Sequence, residues 1–554
     1  MFAFAGAYRW TIVPLIVGSV LVASFVRPPA IRRPYRVLDL ALLACLVVIA
    51  GQLVPLSPPM RDALSPSAAA IERALLFNPS SGGSATARPL SLDSESTAWA
   101  LALGVALLLL FWSARATFAR GGGLRLVCRV VGWFGLVLAS VMFVQRALTP
   151  GLIYGFWQPV TRASHPTPLG PFVNRNDLAT WVMLACPLVF GYAVARVESR
   201  MATSRGAPAL ESLIDARTIW LGGAISLMIA ALLASLSRSG VFGAAAAVLV
   251  FAVLARRRLS GRRIGWFLVV AAALMAMALM YVNVSALMLR VSDTLPSQLG
   301  GRLTVWRETW PMARDFRWTG IGVGAFERGM LVYQQSTRLI FFNHAHDEYL
   351  QLLVEGGILL VVPAGIVALA GWWGVVRQIR ADRTSVFWIR VGAASGLAAV
   401  GAQNIWDTGL VMPANAVLFA IVAAAALHEP KTRDAFTSKR VMPSERGRRN
   451  RLARLSSRVL ESESCAVPRP RNLREHGLRL RQLEPPSAHF GLRSQYWRGS
   501  AVFQGVPTRR GGDCLRAGSD NVCTPCADNR SERAARRASR ERGRCREGRS
   551  CRFL

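Results

Sequence analysis

Apolar residues arrive along this chain in long blocks separated by clusters of arginine. The blocks lie near 8–26, 37–56, 97–115, 127–145, 178–196, 218–236, 238–255, 264–284, 352–376, 390–404 and 409–427. Each approaches the roughly 20 mostly apolar residues that a helix needs to cross a bilayer. The pattern therefore predicts an all-α polytopic integral membrane protein with about 11–12 transmembrane helices. No fixed-period repeat relates the blocks, and Met1–Ala7 lacks the basic leader and small-residue cleavage site of a signal peptide, so the first block reads as a retained helix.

The polar segments between the blocks set an orientation, because short arginine-rich loops resist translocation. The connections 27–36, 115–129, 196–217, 256–263 and 377–383 are the basic ones, and they fall at every second position. All five are expected on the cytoplasmic side together. The connections 57–96, 146–177, Ser237–Gly240, 285–351 and 405–408 then face outward. That parity places the N-terminus outside, which points to one missed or absent first helix. The loop 285–351 interleaves Trp306, Trp310, Trp318, Tyr333 and Phe341 with charges and is expected to form an extracytoplasmic subdomain.

Composition changes the picture mainly at the C-terminus. Of the net charge of +35 on 554 residues, +17 lies from His428 onward, in a stretch rich in Arg, Ser, Pro and Gly that has no sustained apolar periodicity and reads as a disordered basic tail. Three regions are expected: N-terminal transmembrane helices over 1–169, a second transmembrane region over 170–430 that includes the loop 285–351, and the cytoplasmic tail over 431–554. The cations are almost all arginine, a bias that a GC-rich coding sequence explains, and they indicate no specific nucleic acid. The cysteines imply no disulfide framework. Cys523-Thr-Pro-Cys526 has half the spacing of a zinc site without its second half.

Ionisable groups at the edge of a bilayer are costly, and each is a candidate for function. Arg238, in the Ser-rich turn Ser235–Gly240, interrupts a 38-residue apolar stretch; it is either a snorkelling interfacial arginine or the cation of a polar pocket. Arg302 opens a segment with Trp306, Glu308 and Trp310. A guanidinium presents a fork of donors matched to phosphate oxygens, so two outward arginines can clamp a pyrophosphate, the alternative being a solvated helix face. His344 and His346 precede an apolar block. An imidazole there suits a general base acting on a hydroxyl, a metal site with Asp347, Glu348 and the distant His165, or a cap on the following helix. Asn174 and Asn176 stand just before a span, where amides bind sugar hydroxyls or cap the helix. Asp407, in the last outer turn, can orient the histidine or an acceptor, or simply shape the turn.

The stretch His346-Asp-Glu-Tyr-Leu-Gln-Leu-Leu-Val-Glu-Gly-Gly357 resembles the His-Asn-x-Tyr-Leu motif of the O-antigen ligase and O-antigen polymerase superfamily of bacterial membrane glycosyltransferases. Three further pieces match that family in order: Phe172-x-Asn-x-Asn176, the Ser237-Arg-x-Gly240 turn, and Gly320-x-Gly-x-Gly324-x-Phe326. The likeness covers roughly 170–430. It implies transfer of a glycan from an undecaprenyl-pyrophosphate carrier to an acceptor hydroxyl, with inversion and without a metal or other cofactor. The acceptor would be lipid A core, growing polysaccharide or protein, reached on the periplasmic face of the bacterial inner membrane among membrane lipids. The resemblance assigns the pyrophosphate to Arg238 and Arg302 and the acceptor to His346. It matches Asp407, by order and side only, to an acidic residue in the family's last outer turn, while His344, Asn174 and Asn176 are expected to position substrate. Asp347 stands where the family usually has Asn, and the Arg/Cys-rich tail is foreign to it. Two other classes remain: a transporter of bicarbonate or another anion, and a non-catalytic scaffold of a polysaccharide-assembly complex.

Overall fold

The computed structural model describes residues 4–31, 33–75, 87–119, 122–158, 169–203, 215–261, 265, 269, 301–336 and 341–429. The apolar block at 264–284, the start of the loop at 285–351 and the tail from 430 onward lie outside the described residues, apart from two isolated positions in that block. So do His165, Cys523 and Cys526.

Every apolar block within the described residues forms a helix. In chain order the helices are α1 (Arg9–Val26), α2 (Arg36–Gly51), α3 (Pro58–Leu64), α4 (Ala68–Leu75), α5 (Ser94–Phe118), α6 (Gly123–Leu148), α7 (Arg175–Thr203), α8 (Ala216–Ala234) and α9 (Arg238–Ala255). They continue with α10 (301–315), α11 (Phe326–Tyr333), α12 (Glu348–Ala381), α13 (Val386–Gln403) and α14 (Pro413–Leu427). Eight of these, α1, α5–α9, α12 and α13, are long and apolar enough to cross a membrane. The blocks at 37–56 and 409–427 yield the shorter α2 and α14. Among the described residues there are isolated β-bridges and no strand. The chain is an all-α, multi-pass membrane protein.

Local signals set where helices begin. Asp93, Asp215, Ser237 and Asp347 each stand just before a helix and accept a backbone N–H of its first turn, which satisfies donors that the helix leaves unpaired. Pro413 opens α14, where its missing N–H costs nothing.

Packing places α7 and α13 at the centre, with 72% of each span's apolar window buried against other helices. Small residues let these two approach. A Cβ on Gly191 of α7 would strike the Trp388 carbonyl, and one on Gly392 of α13 would strike the Pro187 carbonyl. Without a hydrophobic driving force between helices in lipid, such close backbone contact is what associates them.

The bundle has two chemically different ends. At one end Arg115 reaches buried Asp39 at 2.9 Å, Arg258 meets Glu198 and the Asp382 carbonyl, Arg390 pairs with Asp382, and the Tyr35 hydroxyl donates to the Leu427 carbonyl. All five basic connections contribute to this end. At the other end the Trp157 indole donates to the Tyr8 hydroxyl, Arg146 to the Ala234 carbonyl, and Ser237 to Asn176. The helix α1 starts at this second end, as the charge alternation requires.

Over the second end lies a satellite core. Ala68 and Ile71 of α4 pack with Met312, Phe316, Ile321, Phe326, Met330, Ala345 and Val354, so the first long connection and the segment after residue 300 share one apolar interior. Their junction explains the glycine-rich motif. Gly320, Gly322 and Gly324 all adopt left-handed φ values of 69°, 105° and 86°. The helix α12 breaks at Gly357 (φ 60°, ψ −173°). Across the break Ile321 and Gly322 donate to the Val354 and Glu355 carbonyls, while Ile358 and Leu359 donate to those of Arg317 and Trp318. Backbone groups freed by an interrupted membrane helix must find partners inside the protein, and this exchange supplies them. Gln52, at the end of α2, adds donors to the Thr319 and Glu355 carbonyls.

A Cβ at Gly320 would enter the Glu355 carbonyl at a positive φ. Gly320→Ala is therefore expected to destabilise the protein by about 3 kcal/mol, from backbone strain and overpacking together. Thermal unfolding in detergent measures this; Gly301→Ala, at a position with open space around it, is the matched control.

Candidate functional site

The site forms at the second end, where the first turns of α7, α9 and α12 meet the turn after α13. Asp347 caps α12 by accepting the N–H groups of Tyr349 at 2.9 Å and Leu350 at 3.1 Å. Asparagine in that place would cap equally well, so the departure from the family's usual residue leaves the local structure intact. The new helix is pinned to α13: the Glu348 N–H donates to the Asn404 carbonyl, and the Tyr349 hydroxyl to that of Gly401, both at 2.9 Å. Pinning brings His346 beside the turn that carries Asp407.

His346 has a φ of 52°, a conformation that a residue with a side chain adopts only when its surroundings impose it. Its Nδ1 is buried and lies 3.9 Å from Asp407 Oδ1, within ion-pair range and beyond hydrogen-bonding distance. The His346 side chain keeps 36% of its exposure and that of Asp407 only 2%, so the ring is reachable and the carboxylate is not. One edge of the ring is thus open to a substrate while the other faces a shielded carboxylate.

His344 lies close enough to feel both groups. Burial pushes its imidazole down to about 4, with the neighbouring His346 acting in the same direction and Asp407 against it. It is therefore neutral at neutral pH, and its buried Nδ1 has no hydrogen-bond partner.

Asp407 is held by its own network. Ser239 Oγ donates to its Oδ2 at 3.2 Å, and the Thr408 N–H donates to its Oδ1. Ser239 in turn contacts Gln403, whose Oε1 accepts from the Thr180 hydroxyl at 2.8 Å. Asn176 Oδ1 accepts from Ser237 at 2.8 Å. These bonds lock α7, α9 and α13 together around Arg238, the first residue of α9, which is half-buried between Ser237 and Ser239. Asn174 instead spends its Oδ1 on the Asn176 N–H at the start of α7, which is helix capping.

Arg302 is half-buried on α10, one turn before Trp306 and so on the same helix face. Trp306 donates its indole N–H to the Ala345 carbonyl and lies 5.9 Å, ring to ring, from Trp406. Ala345 separates the two histidines in sequence, and Trp406 precedes Asp407, so this helix face borders the site.

The structure thus brings His344, His346, Asp407, Asn176 and the turn bearing Arg238 to one place, with the face of Arg302 alongside. Thr180 and Gln403 were not foreseen; the only signal for either was a neutral polar side chain inside an apolar block. Among the described residues no three His, Cys, Asp or Glu side chains are grouped to hold a metal ion.

Comparison with known proteins agrees with the motif reading. No curated protein matches the chain at a significant level. The O-antigen ligase family model matches residues 223–365, a segment that encloses Arg238, Arg302, His344 and His346. Proteins of that family act on lipid-linked glycans and acceptors, and the match supports a ligase- or polymerase-type function. Over residues 223–365 this multi-pass membrane protein is similar to the O-antigen ligase family, in agreement with the superfamily that its motifs resemble.

Proposed function

We propose that the protein transfers a glycan from undecaprenyl pyrophosphate to an acceptor hydroxyl, with inversion and without a metal, on the periplasmic face of the bacterial inner membrane. The acceptor hydroxyl gives its proton to His346 as its oxygen attacks the anomeric carbon. The bond from that carbon to the pyrophosphate breaks, and the lipid pyrophosphate leaves with the electron pair. Arg238 and Arg302 face the charge that grows on the leaving group, where fixed cations act most strongly. Asp407 steadies the imidazolium, while His344, neutral and buried, and Asn176 shape the acceptor side. Asn174 contributes by holding the start of α7.

The placement of reachable His346 against shielded Asp407 carries this reading, and the family match over the segment that contains His346 supports it. A membrane-edge site also suits the donor, whose pyrophosphate lies at headgroup level while its polyprenyl chain stays in hydrocarbon.

The test uses purified full-length protein, an undecaprenyl-pyrophosphate glycan and candidate acceptors, with and without EDTA. Turnover is expected to persist in chelator within about twofold, because arginine donors in place of a metal leave nothing to strip. Turnover that disappears with chelator and returns with a divalent cation would refute the metal-free mechanism. The product distinguishes acceptors: extended repeat units mark a polymerase, and a capped lipid A core marks a ligase.

A further inference from the structure

The end of the bundle opposite His346 contains a cavity ringed by arginines. The first turns of α6 carry Arg125 and Arg129, the last turns of α7 carry Tyr192, Arg196 and Ser199, and Arg217 is the second residue of α8. Together with Ala195 these side chains line a cavity of about 230 Å³. Its charge is lopsided. Asp215 is the acidic group beside it, and that carboxylate is already engaged by Arg196 and Arg200 and by the Thr218 hydroxyl and N–H. No carboxylate among the described residues pairs with Arg125, Arg129 or Arg217. The Nε groups of Arg129 and Arg196 are buried and have no hydrogen-bond partner, a costly condition that an anionic ligand would relieve. The N-termini of α6 and α8 bring the positive ends of two helix dipoles to this region against the negative C-terminal end of α7.

The flank of this cavity indicates what the anion is attached to. Leu126, Val130 and Trp133 on α6 and Ile219 on α8 are exposed large apolar residues within about one turn of the arginines, and Trp133 stacks on Trp220 at 4.6 Å. A free phosphate has no use for an apolar flank, whereas acyl chains do. The cavity has room for a phosphodiester headgroup and not for a whole lipid. We propose that the pocket formed by Arg125, Arg129, Arg196 and Arg217 binds the phosphate of an anionic phospholipid, with the acyl chains lying along α6 and α8. Basic pockets between membrane helices are suited to such headgroups. The site is distinct from the glycan-transfer reading and does not depend on it.

Native mass spectrometry of the detergent-purified full-length protein, titrated with phosphatidylglycerol or phosphatidylcholine, tests the proposal. One phosphatidylglycerol is expected to be retained per chain, with at least roughly tenfold preference over phosphatidylcholine. R125Q/R129Q should weaken that binding by roughly tenfold or more, since two phosphate-facing cations are lost. R256Q/R257Q removes the same charge from exposed arginines at the same end and should change it by less than about threefold. Millimolar inorganic phosphate should not displace the lipid. Equal loss in both double variants, no preference for the anionic lipid, or displacement by inorganic phosphate would each overturn the proposal. Should R125Q/R129Q unfold, the single variant R217Q, at an exposed position on another helix, provides the same comparison.

Discussion

His346→Ala is expected to lower glycan transfer by about 10²- to 10⁴-fold at neutral pH, the usual contribution of a positioned general base. Asp407→Asn keeps the shape of the turn but removes the charge facing Nδ1 and is expected to cost about tenfold to a hundredfold. The two substitutions should not multiply: His346→Ala/Asp407→Asn is expected to be about as slow as His346→Ala alone, since the carboxylate acts only through the ring. Multiplying defects, or a His346→Ala enzyme within about threefold of wild type, would remove the assigned role.

The architecture was legible because burying a helix in lipid imposes a coarse rule that hydropathy reads directly. All ten apolar blocks within the described residues correspond to helices, and the alternation of arginine-rich connections matches the two ends of the bundle, since charge distribution and helix parity are coupled by the cost of moving guanidinium across a membrane. The break in α12 was not legible. Gly356 and Gly357 follow Glu355 inside the apolar block 352–376, and hydropathy carries no information about φ; only the docking of Gly320 and Gly322 on the freed carbonyls shows why three spaced glycines precede the histidines. The site divides in the same way. His344, His346, Arg238 and Asp407 drew attention as ionisable groups at membrane depth. Gln403 and Thr180 did not, because a neutral amide or hydroxyl scarcely lowers the hydropathy of its block, yet they hold Ser239 and through it Asp407. Asn174 was equally compatible with sugar binding and capping, and only its bond to the Asn176 N–H assigns the cap.

Arg238→Gln is expected to reduce transfer by about 10²- to 10³-fold, comparable to the loss of a preorganised group that stabilises transition-state charge. The same substitution should leave the fold unharmed. Arg238 is the first residue of α9, where a cation faces the positive end of the helix dipole at a typical cost of about 0.3–1 kcal/mol. The cap that starts this helix belongs to Ser237, which accepts the Gly240 N–H, and the substitution leaves it in place. Unfolding temperature should therefore fall by no more than about 5 °C while activity collapses, a combination that a structural arginine would not produce. Arg238→Lys restores the charge but not the planar fork and should remain at least about tenfold impaired. Arg302→Gln is expected to fall by a similar factor. If both guanidinium groups hold one pyrophosphate, Arg238→Gln/Arg302→Gln should deviate from the product of the single effects by about tenfold or more, because neighbours gripping one ligand are coupled. Independent effects would place Arg302 outside the leaving-group site, and an Arg238→Gln enzyme within about threefold of wild type would leave the pyrophosphate without its principal partner.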